Sequence, residues 1–257
     1  MSLLETDIFG TVNDKVKMAI NRIKAFEPPE GYYVAFSGGK DSVVILDLVK
    51  KSGVKFDAHY NITGIDPPEL YYFIRDQHPE VQRHRPEMTM WALIVKKGFP
   101  PTRSIRYCCQ FLKEDGGHER KVITGVRWKE SQRRNKRQMV ETCFRDGTKT
   151  YLHPIIDWSE MDVWEYIHEN NLPYCKLYDE GFKRLGCVMC PMSSRQGREG
   201  NRWPRIRAAY IRAFDRAIQK SKERGIIPAQ QNGEEMFRWW LRENPKKEDP
   251  DQTVMFE

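Results

Sequence analysis

Residues 34–51 read VAFSGGKDSVVILDLVKK. The stretch closes an apolar run from Tyr32 to Phe36, passes through Ser37-Gly38-Gly39-Lys40-Asp41-Ser42, and continues with Val43, Leu46 and Val49 at helical spacing. That order specifies a buried strand, a tight turn of small residues and a helix. Such a corner leaves the first backbone N–H groups of the helix unpaired. The helix dipole adds partial positive charge at the same point, so the corner suits a phosphate. Ser37 and Ser42 contribute hydroxyl donors, and Lys40 contributes a charge. The spacing is neither the G-x-x-x-x-G-K-[ST] of a Walker loop nor the G-x-G-x-x-G of a dinucleotide turn.

Outward from this corner the chain alternates strands and helices. Val16, Ile20, Ile23 and Phe26 share one face of a helix over 14–26, which Pro28-Pro29 ends. The spacing predicts strands at 32–36, 56–62, 81–85, 121–126 and 151–155. Helices are expected at 42–51, 69–76, 88–97 and 159–170. The last of these opens on Ser159 as N-cap, with Asp162 at the third position completing a carboxylate capping box. Alternation of this kind gives an α/β fold, a parallel twisted sheet with helices on both faces. The expected division is an α/β domain over 1–192, which holds the phosphate-suited corner, and a basic helical appendage over 193–257.

Length and composition narrow the function classes. With 257 residues and 39% hydrophobic content the chain can fill a core, while the mean hydropathy of −0.72 makes the remainder very polar. No apolar run approaches the roughly 20 residues that span a bilayer, and MSLLETDIFG lacks the signature of a secretory leader. A cytoplasmic protein is expected, with no membrane partner. The net charge of +7 is uneven: between Arg195 and Arg224 the local surplus of basic over acidic residues equals that of the whole chain. A second basic cluster runs from Arg127 to Arg137. Either surplus attracts a polyanion such as nucleic acid, or serves as a solvated charged face.

Six residues in fixed order, Ser37 to Ser42, resemble the SGGxDS signature of the PP-loop ATP pyrophosphatases, which split ATP into AMP and pyrophosphate. NITGIDPPELYYF (61–73) resembles the second-strand motif of the phosphoadenosine phosphosulfate reductase branch, retaining Thr63, Gly64 and Glu69. VITGVRWKESQRR (122–134) is similar to that branch's T-G-x-R-x-x-x-S-x-x-R element. HPIIDWSEMDVWEYIHENNLPY and LYDEGFKRLGCVMCP are similar to its C-terminal half. The resemblance covers roughly residues 30–192 and implies an adenine nucleotide alpha hydrolase-like fold. It assigns Gly38, Gly39, Thr63, Gly64, Glu69, Gly125, Arg127, Arg133 and Arg134 to nucleotide and anion binding. Ser37, Lys40, Asp41 and Ser42 would carry the reaction. Ser37, Ser42 and the glycines would hold the leaving pyrophosphate and Lys40 would neutralise charge. Asp41 would assist Mg²⁺ or orient the loop, and Arg127, Arg133 and Arg134 would clamp phosphate.

Cys108-Cys109 and Cys187-x-x-Cys190 place four thiols in two close pairs. In a reducing compartment such a set suits metal ligation, by zinc or by an iron–sulfur cluster. The C-C…C-x-x-C layout resembles the 4Fe-4S site of assimilatory adenylylsulfate reductases and related sulfur-transfer proteins, which favours the cluster. Cys143 and Cys175 read as inert thiols or as persulfide carriers. Sulfonucleotide reductases end in a segment whose cysteine attacks sulfur, and no cysteine follows Cys190 here. The expected activity is therefore adenylation of a nucleic-acid acceptor for sulfur incorporation, resembling the ATP pyrophosphatase subunit of DNA phosphorothioation. ATP, Mg²⁺ and a 4Fe-4S cluster are the implied cofactors, and a cysteine desulfurase the implied sulfur donor. DNA is favoured over tRNA, and a homodimer is compatible with the sequence. Base thiolation of tRNA, a reductase-like enzyme and a non-catalytic cluster-bearing scaffold are the alternatives.

Overall fold

The computed structural model describes residues 3–6, 12–114, 116–144 and 146–243. In chain order the elements are β1 (Leu4–Thr6), β2 (Val12–Asp14), α1 (Lys15–Ala25), β3 (Tyr32–Ala35), α2 (Lys40–Ser52) and β4 (Phe56–Asn61). Then follow α3 (Pro68–Gln77), β5 (Gln82–His84), α4 (Met90–Lys97), α5 (Tyr107–Leu112), β6 (Lys121–Ile123) and β7 (Val140–Thr142). The chain continues through β8 (Thr150–Leu152), α6 (Glu160–Glu169), α7 (Gln196–Arg202), α8 (Pro204–Glu223) and α9 (Gly233–Glu243). None of the described helices is long and apolar enough to cross a membrane.

The chain forms two compact units, each drawn from three stretches. One comprises Met1–Asn61, Pro68–His84 and Gly116–Leu185; the other comprises Ile62–Pro67, Arg85–Asp115 and Gly186–Glu257. The boundary expected after residue 192 falls within the last stretch of the second unit.

The first unit is the expected α/β fold, a mostly parallel sheet with helices on both sides. The strand order is β5-β4-β3-β6-β8-β7, parallel throughout except for the edge strand β7, which pairs antiparallel with β8. Tyr32 and Val34 of β3 are completely buried, as a central strand requires. Helix α2 buries Val43, Val44, Ile45, Leu46, Leu48 and Val49 nearly all round, because it lies between α1 and α6. Gly53, at φ 74°, ends α2 in the left-handed conformation that glycine adopts without a Cβ penalty. The capping box of α6 forms as its sequence specifies: Asp162 N–H donates to Ser159 Oγ at 3.1 Å and Ser159 N–H to Asp162 Oδ2 at 2.6 Å.

Three local expectations change. The strand expected over 121–126 ends at Ile123. The strand expected over 151–155 becomes Thr150–Leu152, because Pro154 has no N–H for a ladder. Between them the basic stretch folds into two short 3-10 turns, 128–130 and 134–136, and then supplies β7.

The second unit is helical. Tyr210, Ala213, Phe214, Ala217 and Ile218 form the buried face of α8, against which α4 and α9 pack, while Arg205, Arg212 and Arg216 are exposed on the other side. Trp240 is fully buried beside Tyr210 and Phe214, and its Nε1–H donates to the Pro101 carbonyl at 2.7 Å. Burying an indole of this size with its polar atom satisfied makes Trp240 a packing residue.

Candidate nucleotide site and cysteine cluster

In an open parallel sheet the crevice at the carboxyl ends of the strands opens where successive connections run to opposite sides. Here that point lies between β3 and β6, since β4 and β5 lie on one side and β8 on the other. Residues 37–42 leave β3 at this crevice, and residues 124–134 leave β6 beside them. The two motifs are 80 or more residues apart in sequence, and the topology brings them together.

Gly38 sits at φ 72°, and a Cβ placed there would lie 2.7 Å from Ile74 and 2.8 Å from Leu70 of α3. Gly39 is the N-cap of α2 and makes no side-chain cap. Ser42 Oγ organises the turn: it accepts from Ser37 N–H and Ser37 Oγ, each at 3.2 Å, and donates to the Gly39 carbonyl at 2.8 Å. The loop is thereby shaped before any ligand arrives.

The basic residues divide into two roles. Arg127, expected to clamp phosphate, is buried to 3% exposure; its Nε–H donates to Asp41 Oδ1 at 2.6 Å and its guanidinium also reaches the Trp158 carbonyl. The guanidinium therefore braces the start of α2 from behind, and Asp41 orients the loop through it. Gly125 is part of the same joint: a Cβ there would stand 2.9 Å from the Asp41 carbonyl oxygen. Arg133 is exposed, and Arg134 pairs with Glu130, whose other oxygen is 2.8 Å from Arg184. Burial lowers Arg134 to about 10, and Arg184, Arg127 and Arg137 add repulsion that the Asp41 charge only partly opposes. Guanidinium groups crowded this closely mark a surplus of positive potential, the field an anion needs.

Lys40 departs from expectation. Its Nζ donates to the Lys183 carbonyl at 2.7 Å, lies 3.3 Å from Glu160, and faces the rings of Tyr178 and Trp164 at 5.2 and 5.8 Å. Its backbone N–H donates to Tyr178 Oη at 2.9 Å. The ammonium is held in this cage, because a buried cation requires compensating partners. Tyr178, Lys183 and Arg184 were not singled out from sequence; the only signal was the LYDEGFKRLG stretch as a whole.

The motif at 61–73 divides between units. Glu69 belongs to the first, in the opening turn of α3, whereas Thr63 and Gly64 belong to the second. Thr63 is buried and caps its own turn, accepting from Ile65 N–H at 3.2 Å; Gly64 sits at φ 72° with open space where a Cβ would be.

All four expected cysteine ligands fall in the second unit. Cys108 and Cys109 lie in the first turn of α5, after Tyr107, and Cys187 and Cys190 bracket a turn whose Met189 adopts φ 59°. That turn is held from several directions. Val188 N–H donates to the Ile65 carbonyl at 2.8 Å, Met189 N–H to Glu199 Oε2 at 2.6 Å, and Gln196 Nε2 to the Met189 carbonyl at 3.1 Å. Cys108 is pushed far up by its hydrogen bond to Cys109, by burial and by the charges of Cys109, Cys187 and Cys190; Cys109 moves the opposite way. Burial pushes Cys187 up to about 12 against the opposing charge of Lys113. The thiols thus gather within electrostatic reach, but among the described residues no three His, Cys, Asp or Glu side chains close into a metal-holding arrangement. As a donor set, four soft sulfurs with a cation beside them fit zinc or an iron–sulfur cluster. Cys175 is buried to 1% exposure with its thiol pushed up by burial, which suits an inert thiol better than a persulfide carrier. Cys143 is half-buried, 3.9 Å from Tyr151 Oη.

Comparison with known proteins follows the same boundaries. The model of the phosphoadenosine phosphosulfate reductase domain matches residues 31–193. An uncharacterized protein of Methanocaldococcus jannaschii is 32% identical over 71% of this chain, which spans 41% of that protein's length; a second from the same organism is spanned to 52%. The chain therefore spans about half the length of the first curated relatives it matches. Adenosine 5′-phosphosulfate reductase of Oceanobacillus iheyensis is 30% identical over 66% of this chain and 75% of its own length. Among solved structures, phosphoadenylyl-sulfate reductase from Candida auris shares the fold. It aligns with a TM-score of 0.51 at 22% identity, covering 67% of this chain and 87% of its own. By the extent of the family match, this chain belongs to the phosphoadenosine phosphosulfate reductase domain family.

Proposed function

We propose that this chain is an ATP pyrophosphatase that adenylates a nucleic-acid acceptor for sulfur incorporation, with the DNA backbone phosphate as the acceptor. The observation that carries the reading is the convergence, at the β3–β6 crevice, of the Ser37–Ser42 turn with a cluster of guanidinium groups. The turn offers the start of α2 to the departing pyrophosphate, its shape held by the hydrogen bond from the Ser37 hydroxyl to Ser42. Arg133, Arg134 and Arg184 supply positive potential where negative charge builds as the α–β bond breaks. Donors fixed in advance stabilise such charge by several kcal/mol each. Mg²⁺ bound with the nucleotide would offset charge on the phosphate oxygens.

Sulfur chemistry belongs to the second unit. Cys108, Cys109, Cys187 and Cys190 would hold a 4Fe-4S cluster, which when bound would accept sulfur at the sulfide level, delivered as the persulfide of a cysteine desulfurase and reduced by two electrons from a thiol that ends as a disulfide. Anaerobically purified protein is expected to carry about four irons per chain, and Cys187→Ser or Cys190→Ser to lose them, since an oxygen ligand holds such a cluster poorly. Stoichiometric zinc without iron would contradict the cluster.

Nucleic acid is assigned to the exposed side of α8. If Arg205, Arg212, Arg216 and Lys220 contact phosphates, a salt titration of DNA binding should show a steep log–log slope. The quadruple alanine variant should lower that slope by about 0.9 per lost contact on duplex DNA. Equal slopes would assign the face to solubility. The function itself is tested by pyrophosphate release from ATP with DNA, with tRNA and with neither, followed by mass spectrometry of the nucleic acid. Stimulation by DNA and a phosphorothioate linkage support the proposal. Stimulation by tRNA with a thiolated base would replace it with base thiolation, and release indifferent to both would remove the nucleic-acid acceptor.

A further inference from the structure

A hydroxyl, an imidazole and a carboxylate stand in line at the carboxyl end of β6. His153 Nδ1 is 2.7 Å from Thr124 Oγ1, and its Nε2 is 3.1 Å from Glu141 Oε1. Glu141 is in turn ion-paired with Arg137. The alignment follows from strand register. Glu141 lies opposite Tyr151 in the β7–β8 ladder, His153 N–H donates to the Met139 carbonyl at 2.8 Å, and Thr124 N–H donates to the Leu152 carbonyl at 3.1 Å. His153 is completely buried, whereas Thr124 is half-buried and immediately precedes Gly125, the residue packed on Asp41 of the phosphate loop.

The direction of each hydrogen bond follows from chemistry. A carboxylate paired with arginine accepts only, so Nε2 carries the imidazole proton. Burial pushes His153 below its ordinary value, opposed by Glu141 and reinforced by Arg137, which keeps the ring neutral at pH 7. The bare Nδ1 then accepts, and the one hydrogen of the Thr124 hydroxyl is spent on it. Toward the crevice Thr124 Oγ1 has only lone pairs to offer. Such an oxygen repels a phosphate oxygen and pairs with N–H or O–H.

We infer that Thr124, its hydroxyl hydrogen fixed inward by His153 and Glu141, reads a hydrogen-bond donor on the nucleoside part of the substrate, a ribose hydroxyl or a ring amino group. This rests on the β3–β6 crevice being the nucleotide site. Thr124 touches the ligand; His153 and Glu141 are positioning residues that set which way its hydroxyl points. The arrangement gives the site a specificity element separate from its phosphate contacts. A nucleotide lacking the matching donor leaves the oxygen desolvated and unpaired, which weakens binding about tenfold to a hundredfold.

The test is calorimetric titration of the full chain with the α,β-methylene analogue of ATP and with its 2′-deoxy, 3′-deoxy and 6-desamino counterparts. The parent is expected to bind one of the three at least about tenfold more weakly than the complete analogue, which identifies the donor. Thr124→Ser should keep that discrimination. Thr124→Val, of nearly the same shape, should bind all four alike. Glu141→Gln frees the imidazole to turn its proton toward Thr124 and should reduce discrimination while the protein melts normally. A parent that binds all four alike, or a Thr124→Val variant that discriminates as the parent does, would overturn the inference while leaving the nucleotide site standing. Failure of the parent to bind any of them would remove both.

Discussion

Gly38→Ala is expected to destabilise the protein by about 2–5 kcal/mol and to stop ATP turnover. A side chain at φ 72° costs roughly 1–2 kcal/mol, and forcing a methyl into a packed contact adds about 1–3 kcal/mol. The methyl meets Ile74 and Leu70, which are fully buried and cannot swing away. Gly39→Ala is the internal control. Its φ of −74° suits any residue, and a Cβ would lie 3.5 Å from Ser37 Oγ and Tyr178 Oη, an ordinary contact. Its expected cost is under about 1 kcal/mol, that of alanine at an N-cap. Denaturant unfolding of the two variants checks the contrast. Equal stability would mean that α3 does not press on the loop.

Arg127→Met should be nearly as damaging, for an electrostatic reason. It leaves Asp41, whose side chain is 23% exposed, without its guanidinium partner at the start of α2. Losing one member of a fully buried pair costs about 3–5 kcal/mol, and the partial exposure of Asp41 brings the expectation to about 2–3 kcal/mol. A loop displaced by even 1 Å should lower turnover about a hundredfold. Removing the carboxylate as well, in Asp41→Asn/Arg127→Met, should recover part of the stability but none of the activity. A double variant no more stable than Arg127→Met would show that the ion pair does not brace the loop.

Arg127 also shows where sequence reading stops. Its presence in a run of basic residues and its place in the T-G-x-R element both suggest an exposed cation waiting for phosphate. Its burial depends on Asp41, 86 positions away, which only the pairing of β3 with β6 brings near. Lys40 is similar: the cage that holds it comes from α6 and from the segment around Tyr178, and no local pattern announces it. What was legible was local or periodic. The capping box of Ser159 and Asp162 lies within four residues, and the strand, turn and helix at 32–52 carry their own apolar run and glycines. Some short elements with no apolar run of their own were missed. Strands β1 and β7 have three residues each and exist because a neighbouring strand pairs with them, and α5 is a six-residue helix read only as a pair of ligands. Thr124, His153 and Glu141 belong with these, since a line of side chains across three strands leaves no trace in sequence spacing.

The central claim is that the loop at the β3–β6 crevice directs cleavage between the α and β phosphates of ATP. The most direct measurement uses ATP labelled in the γ-phosphate, incubated anaerobically with the full chain, DNA, a cysteine desulfurase and cysteine, with the labelled products separated. The expected result is label in pyrophosphate and AMP as the nucleotide product, both lost in Ser37→Ala and Asp41→Ala. Label in orthophosphate with ADP as the product, or unchanged pyrophosphate release by those two variants, would contradict it.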